Sequence, residues 1–209
     1  MLNLIPTTTL AGDPQSLDNV FELRYRSYRR DDSIELSPSE RFSDLFDTMP
    51  NHFSFLQSEG EDSIATVRVG VVQPKCNWVE SPARRVYGNH PAFQAFANDS
   101  YVEASRLCFA PLARRDGFIS LLGNVAALAE FHRVRWVLAC PRVEHVSVYQ
   151  HLFGFQPCAE PRTYYGVKFE TQLMAISLGQ LRAYVQHDSR MMEAWARAGE
   201  AICPLSIAC

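Results

Sequence analysis

Glu103 and Arg106 stand three apart in an otherwise uncharged run, Tyr101-Val102-Glu103-Ala104-Ser105-Arg106-Leu107-Cys108-Phe109. Small, β-branched and aromatic residues predict a strand there. Pro111 has no N–H to give a sheet ladder and ends it. A carboxyl inside such a strand can take a proton from an attacking nucleophile if burial raises its pKa, or it can hold a substrate ammonium group. A Glu103–Arg106 pair kept only for structure is the plain alternative. Strict alternation points the two side chains to opposite faces, so both reach one site only where the strand bulges. The turn Arg114-Arg115-Asp116-Gly117 follows, and two guanidiniums beside the first amides of a helix suit a phosphate. Tyr149, in a short helical segment further on, is either a proton donor to a leaving group or a core aromatic.

A second set of charges lies nearer the N-terminus. Phe21, Tyr25 and Tyr28 share one face at helical spacing, with Arg24 beside them, where an arginine usually has a designated partner. Arg26, Arg29 and Arg30 read as a solvated basic face. Arg68 shares a strand face with Ile64, Thr66 and Gly70, and a surface arginine is an even alternative there. Asp44 and Asp47 lie in a polar stretch where acids are commonly solvated. The histidines have no ligand-like spacing, so no metal site is expected.

These groups need elements to position them. Residues 1–15 read as a loose arm, and Asp18 as the N-cap of a helix reaching Arg30. Residues 31–51 form a polar excursion with at most a short helix at 41–46, of the sort that serves as a lid or binding loop. Strands at 53–58 and 63–72 flank Glu59-Gly60-Glu61-Asp62, which has hairpin chemistry. Residues 74–100 read as irregular, with a short helix near Phe93. The helix over 118–133 is apolar around most of its circumference and should be sandwiched. A strand at 135–140, a helix at 146–152 stopped by Gly154, a short piece at 155–157 and a long strand at 164–178 follow. Residues 180–199 form a terminal helix and 203–209 a tail. A strand, buried helix and strand joined by a short turn imply a locally parallel pair in a mixed sheet, hence an α/β or α+β fold.

The totals remove several classes of function. A chain of 209 residues suits one domain, here spanning 1–209. Its net charge of -3 gives no support to bulk binding of nucleic acid or anionic membrane. No apolar run approaches the roughly 20 residues of a membrane span, and the N-terminus does not read as a signal peptide. The six cysteines contain no Cys-x-x-Cys pair; they read as reduced structural thiols in a cytoplasmic protein.

Two motifs carry a resemblance. Arg114-Arg115-Asp116-Gly117-Phe118 after one strand, and Tyr149-Gln150-His151-Leu152-Phe153-Gly154-Phe155 after the next, resemble the acyl-donor loop and the donor-closing Tyr-x-x-x-Gly-Phe of the GNAT N-acetyltransferase superfamily. From about residue 20 to 178, Arg24, Tyr28, Asp44, Asp47, Arg68, Glu103 and Arg106 follow the pattern of the acyl-homoserine-lactone synthases. Those enzymes share the superfold and take acyl chains from acyl carrier protein. Ser33-Ile34 stand where that family carries a Trp, which argues against S-adenosylmethionine as substrate. The segments at 103–107, 149–155 and 165–167 look closer to the N-acyl amino acid synthases.

The resemblance implies a GNAT-like acyltransferase with a mixed sheet flanked by helices. It would join a long-chain acyl group to the α-amine of an amino acid. Glu103, Arg106 and Tyr149 would be catalytic. Arg24, Tyr28, Asp44, Asp47 and Arg68 would shape the acceptor site. Leu107, Phe109, Arg114, Arg115 and Gly117 would hold the donor, an acyl-phosphopantetheine of acyl carrier protein or acyl-CoA, with no tightly bound cofactor. Ile119, where the superfamily has Gly or Ala, would crowd a coenzyme A pyrophosphate and so favour the carrier protein. The rivals are an acyl-homoserine-lactone synthase and a catalytically silent acyl- or carrier-binding module.

Overall fold

The computed structural model describes residues 6–111, 115–164 and 166–202. Its chain opens with β1 (Thr7–Leu10), where the sequence had predicted a loose arm. Three consecutive β-branched threonines let this edge strand pair antiparallel with β2 (His52–Glu59). Between them lies α1 (Pro14–Arg30), capped by Asp13 rather than Asp18. The Asp13 carboxylate accepts from the Gln15 and Ser16 N–H groups, each at 3.0 Å. Pro14 at the first helical position suits that cap. Asp18 instead holds Arg41.

β3 (Asp62–Val72) completes the predicted hairpin with β2 and pairs antiparallel with β4 (Tyr101–Phe109). The stretch between them is more regular than its composition suggested. It contains α2 (Pro82–Tyr87), capped by Ser81, and α3 (Pro91–Gln94), capped by His90. α4 (Arg115–Phe131) then crosses to β5 (Trp136–Ala139), which lies parallel to β4. This is the expected strand-helix-strand unit. Leu121, Val125 and Leu128 of α4 are buried against the sheet and the C-terminal helices. Leu128→Ala at such a site costs about 2–5 kcal/mol.

α5 (Val146–Phe153) ends at Gly154 with φ of 72°. A Cβ there would also stand 2.9 Å from the Tyr184 ring, so glycine is required twice over. The long strand predicted over 164–178 does not form. β6 (Gln156–Pro157) is followed by a small hairpin of β7 (Arg162–Thr163) and β8 (Glu170–Thr171). Only β9 (Met174–Ser177) joins the main sheet. Gly166, at φ of 74°, breaks the extended run, and Tyr164 lies outside any strand. The terminal helix is two helices, α6 (Leu178–Val185) and α7 (Ser189–Ile202). The resulting seven-stranded mixed sheet has the order β1-β2-β3-β4-β5-β9-β6 and is flanked by helices. Cys108, Cys140 and Cys158 are free thiols. Cys76 is disulfide-bonded, against the reduced state expected from its unpaired spacing. Among the described residues no helix is long and apolar enough to cross a membrane.

Candidate active site

β4 and β5 are hydrogen-bonded only from Tyr101 to Ala104 and from Trp136 to Ala139. Beyond that point β4 bulges. Arg68 of β3 opposes Ser105 and Thr66 opposes Cys108, so β4 carries one residue more than its partner. Arg106 supplies the bend with φ of 53°, a costly conformation for a side chain with a Cβ. Pro141 stops β5 on the other side. In the wedge between them lies a cavity of about 380 Å³, walled by Leu107 and Phe109 of β4, Cys140 and Arg142 past β5, Tyr149 of α5, and Tyr164.

The bulge is held by ion pairs. Arg106 gives hydrogen bonds from Nε and Nη2 to Asp44 Oδ2, at 3.2 and 2.7 Å, and its guanidinium lies 4.5 Å from the Phe42 ring centroid. Arg68 reaches the same carboxylate at 2.6 Å and Asp47 at 3.1 Å, while Arg24 binds Asp47 at 2.7 Å and Ser54 Oγ at 2.9 Å. Asp44 and Asp47 are presented by a one-turn 3-10 helix, Leu45–Thr48, that Asp44 caps. Arg24 and Arg68 are fully buried, so the even alternative of a surface Arg68 does not apply. Burial opposes charge on Asp44, but Arg68 and Arg106 outweigh it and hold the carboxyl well below the usual range. Among the described residues this cluster sets three guanidiniums against two carboxylates at the cavity wall, one positive charge in excess.

Glu103 has different company. It is fully buried and does not itself line the cavity. The Ala83 N–H at the start of α2 donates to Oε2 at 2.9 Å, and the Tyr164 hydroxyl donates to Oε1. Tyr164 does stand in the cavity wall. Burial pushes the Glu103 carboxyl up, and these hydrogen bonds recover only part of that shift. Tyr164 is pushed well up, first by burial and then by the charge of Glu103. Tyr149 is also held up by burial.

Of the residues singled out from sequence, Tyr28, Arg106, Leu107, Phe109 and Tyr149 line the cavity. Arg24, Asp44, Asp47, Arg68 and Glu103 lie behind its wall. Gly117 is in the first turn of α4, where a Cβ would come within 2.3 Å of Gln57 Oε1. Arg114 lies outside the described residues, as does the side chain of Arg115. Ile119 faces Leu122, Phe153 and Leu181 in a small apolar gap beneath α6. Sequence reasoning missed Tyr164, Arg142, Phe169 and the Ala83 amide. The Ser81-Pro82 pair, a cap followed by an N1 proline, was the available signal for the last. Among the described residues no His, Cys, Asp or Glu cluster is arranged to hold a metal.

The N-acyl amino acid synthase FeeM family model matches residues 19–177. Among solved structures, FeeM, an N-acyl amino acid synthase from uncultured soil microbes, superposes with a TM-score of 0.72 at 15% identity. The match covers 86% of this chain and 94% of that one. The acyl-homoserine-lactone synthase LasI gives 0.61 at 12% identity, covering 83% and 89%. A putative N-acetyltransferase from Lactobacillus plantarum gives 0.57 at 14%, covering 83% and 98%. At these identities the superpositions speak to fold. No curated protein matches the sequence.

Proposed function

The chain belongs to the N-acyl amino acid synthase FeeM family and is a GNAT-like acyltransferase, and from that premise we propose its substrates. The donor is a long-chain acyl thioester on the pantetheine arm of acyl carrier protein or of coenzyme A. The acceptor is the α-amine of an amino acid, and the product is an N-acyl amino acid made in the cytoplasm. The observation that carries this reading is the Glu103–Tyr164 pair, a buried carboxyl hydrogen-bonded to a tyrosine hydroxyl of the cavity wall.

The thioester occupies the wedge between β4 and β5, its acyl and pantetheine parts against Leu107, Phe109 and Phe118. The amine nitrogen attacks the carbonyl carbon. As the C–N bond forms, nitrogen loses a proton to the Tyr164 oxygen, which passes its own to the Glu103 carboxylate. Burial favours the neutral acid so formed, which makes Glu103 a better base than a solvated carboxylate. The excess positive charge around Arg106 favours the negative charge that builds up on the carbonyl oxygen. The C–S bond breaks with its electron pair on sulfur, and the Tyr149 hydroxyl donates a hydrogen bond to that thiolate. Arg24, Arg68, Asp44 and Asp47 act at a distance, by fixing Arg106 and the bulge.

The test is product identity. The protein is incubated with acyl-loaded carrier protein or acyl-CoA, together with the twenty amino acids and S-adenosylmethionine, and the products are read by mass spectrometry. An amide-linked acyl amino acid supports the reading. An acyl-homoserine lactone would transfer it to the lactone synthases, and binding without any product would make the protein an acyl-binding module. Unequal rates with the two donors identify the natural one.

A further inference from the structure

Five groups form a continuous row, and all but Phe42 line the cavity. The Arg106 guanidinium lies 4.5 Å from the Phe42 centroid, and Phe42 is 5.1 Å from Tyr28. Tyr28 lies 6.2 Å from Phe169, and the Arg142 guanidinium lies 4.5 Å from the Phe169 centroid. The two end cations are used differently. Arg106 is committed to Asp44 at 2.7 Å. Among the described residues Arg142 has only loose company: Ser33 Oγ at 3.3 Å, Glu144 at 3.6 Å and Asp31 at 3.7 Å. The two carboxylates lie beyond the range of a charge-assisted hydrogen bond.

Arg142 is nevertheless placed firmly. Its backbone bridges to Thr171, the preceding Pro141 carbonyl accepts from the Gln172 N–H at 3.0 Å, and Phe169 supports the guanidinium plane. A planar donor fork held against a ring, with its hydrogen-bonding capacity hardly used, is arranged for an oxyanion delivered by a ligand. Arg30 also lines the cavity, but its side chain is half exposed at the end of α1, and among the described residues no ring supports it.

The position within the cavity selects the ligand. Phe109, Phe118 and Tyr149 pack together at the end where α4 begins, which is the donor end. Arg142 stands with Ser33, Phe169 and Tyr164 at the other, where the end of α1 meets the loop before β8. An α-amino acid carries its carboxylate one carbon away from the reacting amine. A cation lining the same cavity as Tyr164 is therefore suited to meet that carboxylate.

We propose that Arg142 is the carboxylate anchor of the amino-acid acceptor, orienting the α-amine toward Tyr164. This rests on the acyl-transfer reading. It excludes amines that lack an adjacent carboxylate, such as amino-acid amides and simple alkylamines.

The test uses the wild-type protein, Arg142→Ala and Arg142→Lys, each assayed with the acceptor amino acid and with its carboxamide. The wild type should prefer the free acid. Arg142→Ala should raise the acceptor KM about ten- to a hundredfold, the scale of a lost hydrogen bond to a charged group, and should erase the preference over the carboxamide. Arg142→Lys should recover part of both. The donor KM should stay within about twofold throughout. A wild type that uses the carboxamide as well as the acid overturns the proposal without recourse to any variant. So does a donor KM that rises in Arg142→Ala while the acceptor KM does not, which would make Arg142 a reader of the donor. If the wild type makes no acyl amino acid at all, the acyl-transfer reading fails and the anchor fails with it.

Discussion

Asp44 and Glu103 are both buried carboxyls that feel the field of Arg68, yet their pKa values move in opposite directions. Burial raises both. Asp44 overcomes it because two guanidiniums bind it directly, at 2.6 and 2.7 Å. Glu103 does not, because its close partners are neutral donors, an amide, a phenol and the Ser81 hydroxyl. The first arrangement holds charge permanently and fixes shape; the strained Arg106 backbone depends on it. The second leaves a proton equilibrium open beside the cavity. Within one small protein, the direction in which a buried carboxyl titrates is thus set by the charge of its neighbours and not by depth.

The comparison can be broken most forcefully on its structural side. Asp44→Asn removes the carboxylate shared by Arg68 and Arg106 and strands buried positive charge. Loss of one member of such a cluster costs about 3–5 kcal/mol. Urea denaturation should show a loss of that size, and a cost below about 1 kcal/mol would mean that water reaches the cluster. A second, smaller effect concerns acid. His52, next to the cluster, is held down to about 3 by burial and then by Arg68. The unfolded chain protonates this ring near 6.5 while the folded protein does not, so stability falls as pH drops through that window. The slope is about 1.4 kcal/mol per pH unit at most, and His52→Asn should remove one proton's worth of it in denaturation curves taken between pH 6.5 and 4.

The smallest effect sharpens the contrast. A carboxyl whose folded pKa is raised contributes stability below its unfolded value near 4.5, and this is lost as pH rises through the folded value. Glu103→Gln should therefore match or exceed the wild type in stability at pH 8, by at most about 1 kcal/mol, and lose that advantage at pH 4.5. Asp44 has the opposite sign: its contribution is present above its unfolded value near 3.8 and lost as pH falls. A Glu103→Gln protein that is less stable at pH 8 would make Glu103 part of the structural set.

Much of this site was legible from residue types, while its contacts were not. The strand with an acid and an arginine, the buried helix behind it, and the glycine that stops α5 all depend on local pattern, although Arg115–Gly117, read as a turn, already belong to that helix. The need for a bulge followed from alternation alone, and the structure supplies it at Arg106. Tyr164 was out of reach because its partner is 61 residues away, and because a half-alternating run disguised its loop as a strand. The α2 segment was dismissed as irregular although Ser81-Pro82 marked its start. β1 was taken for a loose arm because an edge strand takes its order from a neighbour about 50 residues away. Ile119 was assigned to the donor turn from motif position, and the helix rotates it into the core instead.

The most direct test of the central claim is the dependence of kcat on pH for the wild type and for Glu103→Gln, at saturating donor and amino acid. The account predicts an activity that rises with pH as Glu103 ionises. In Glu103→Gln it predicts a loss of about 10²–10⁴ in kcat together with that limb, the scale of a lost general base. Tyr164→Phe should share the loss, since it cuts the only hydrogen-bonded route from Glu103 to the cavity among the described residues. A Glu103→Gln protein with kcat intact and only the acceptor KM raised would contradict the claim, and would make the carboxyl an anchor for the ammonium group.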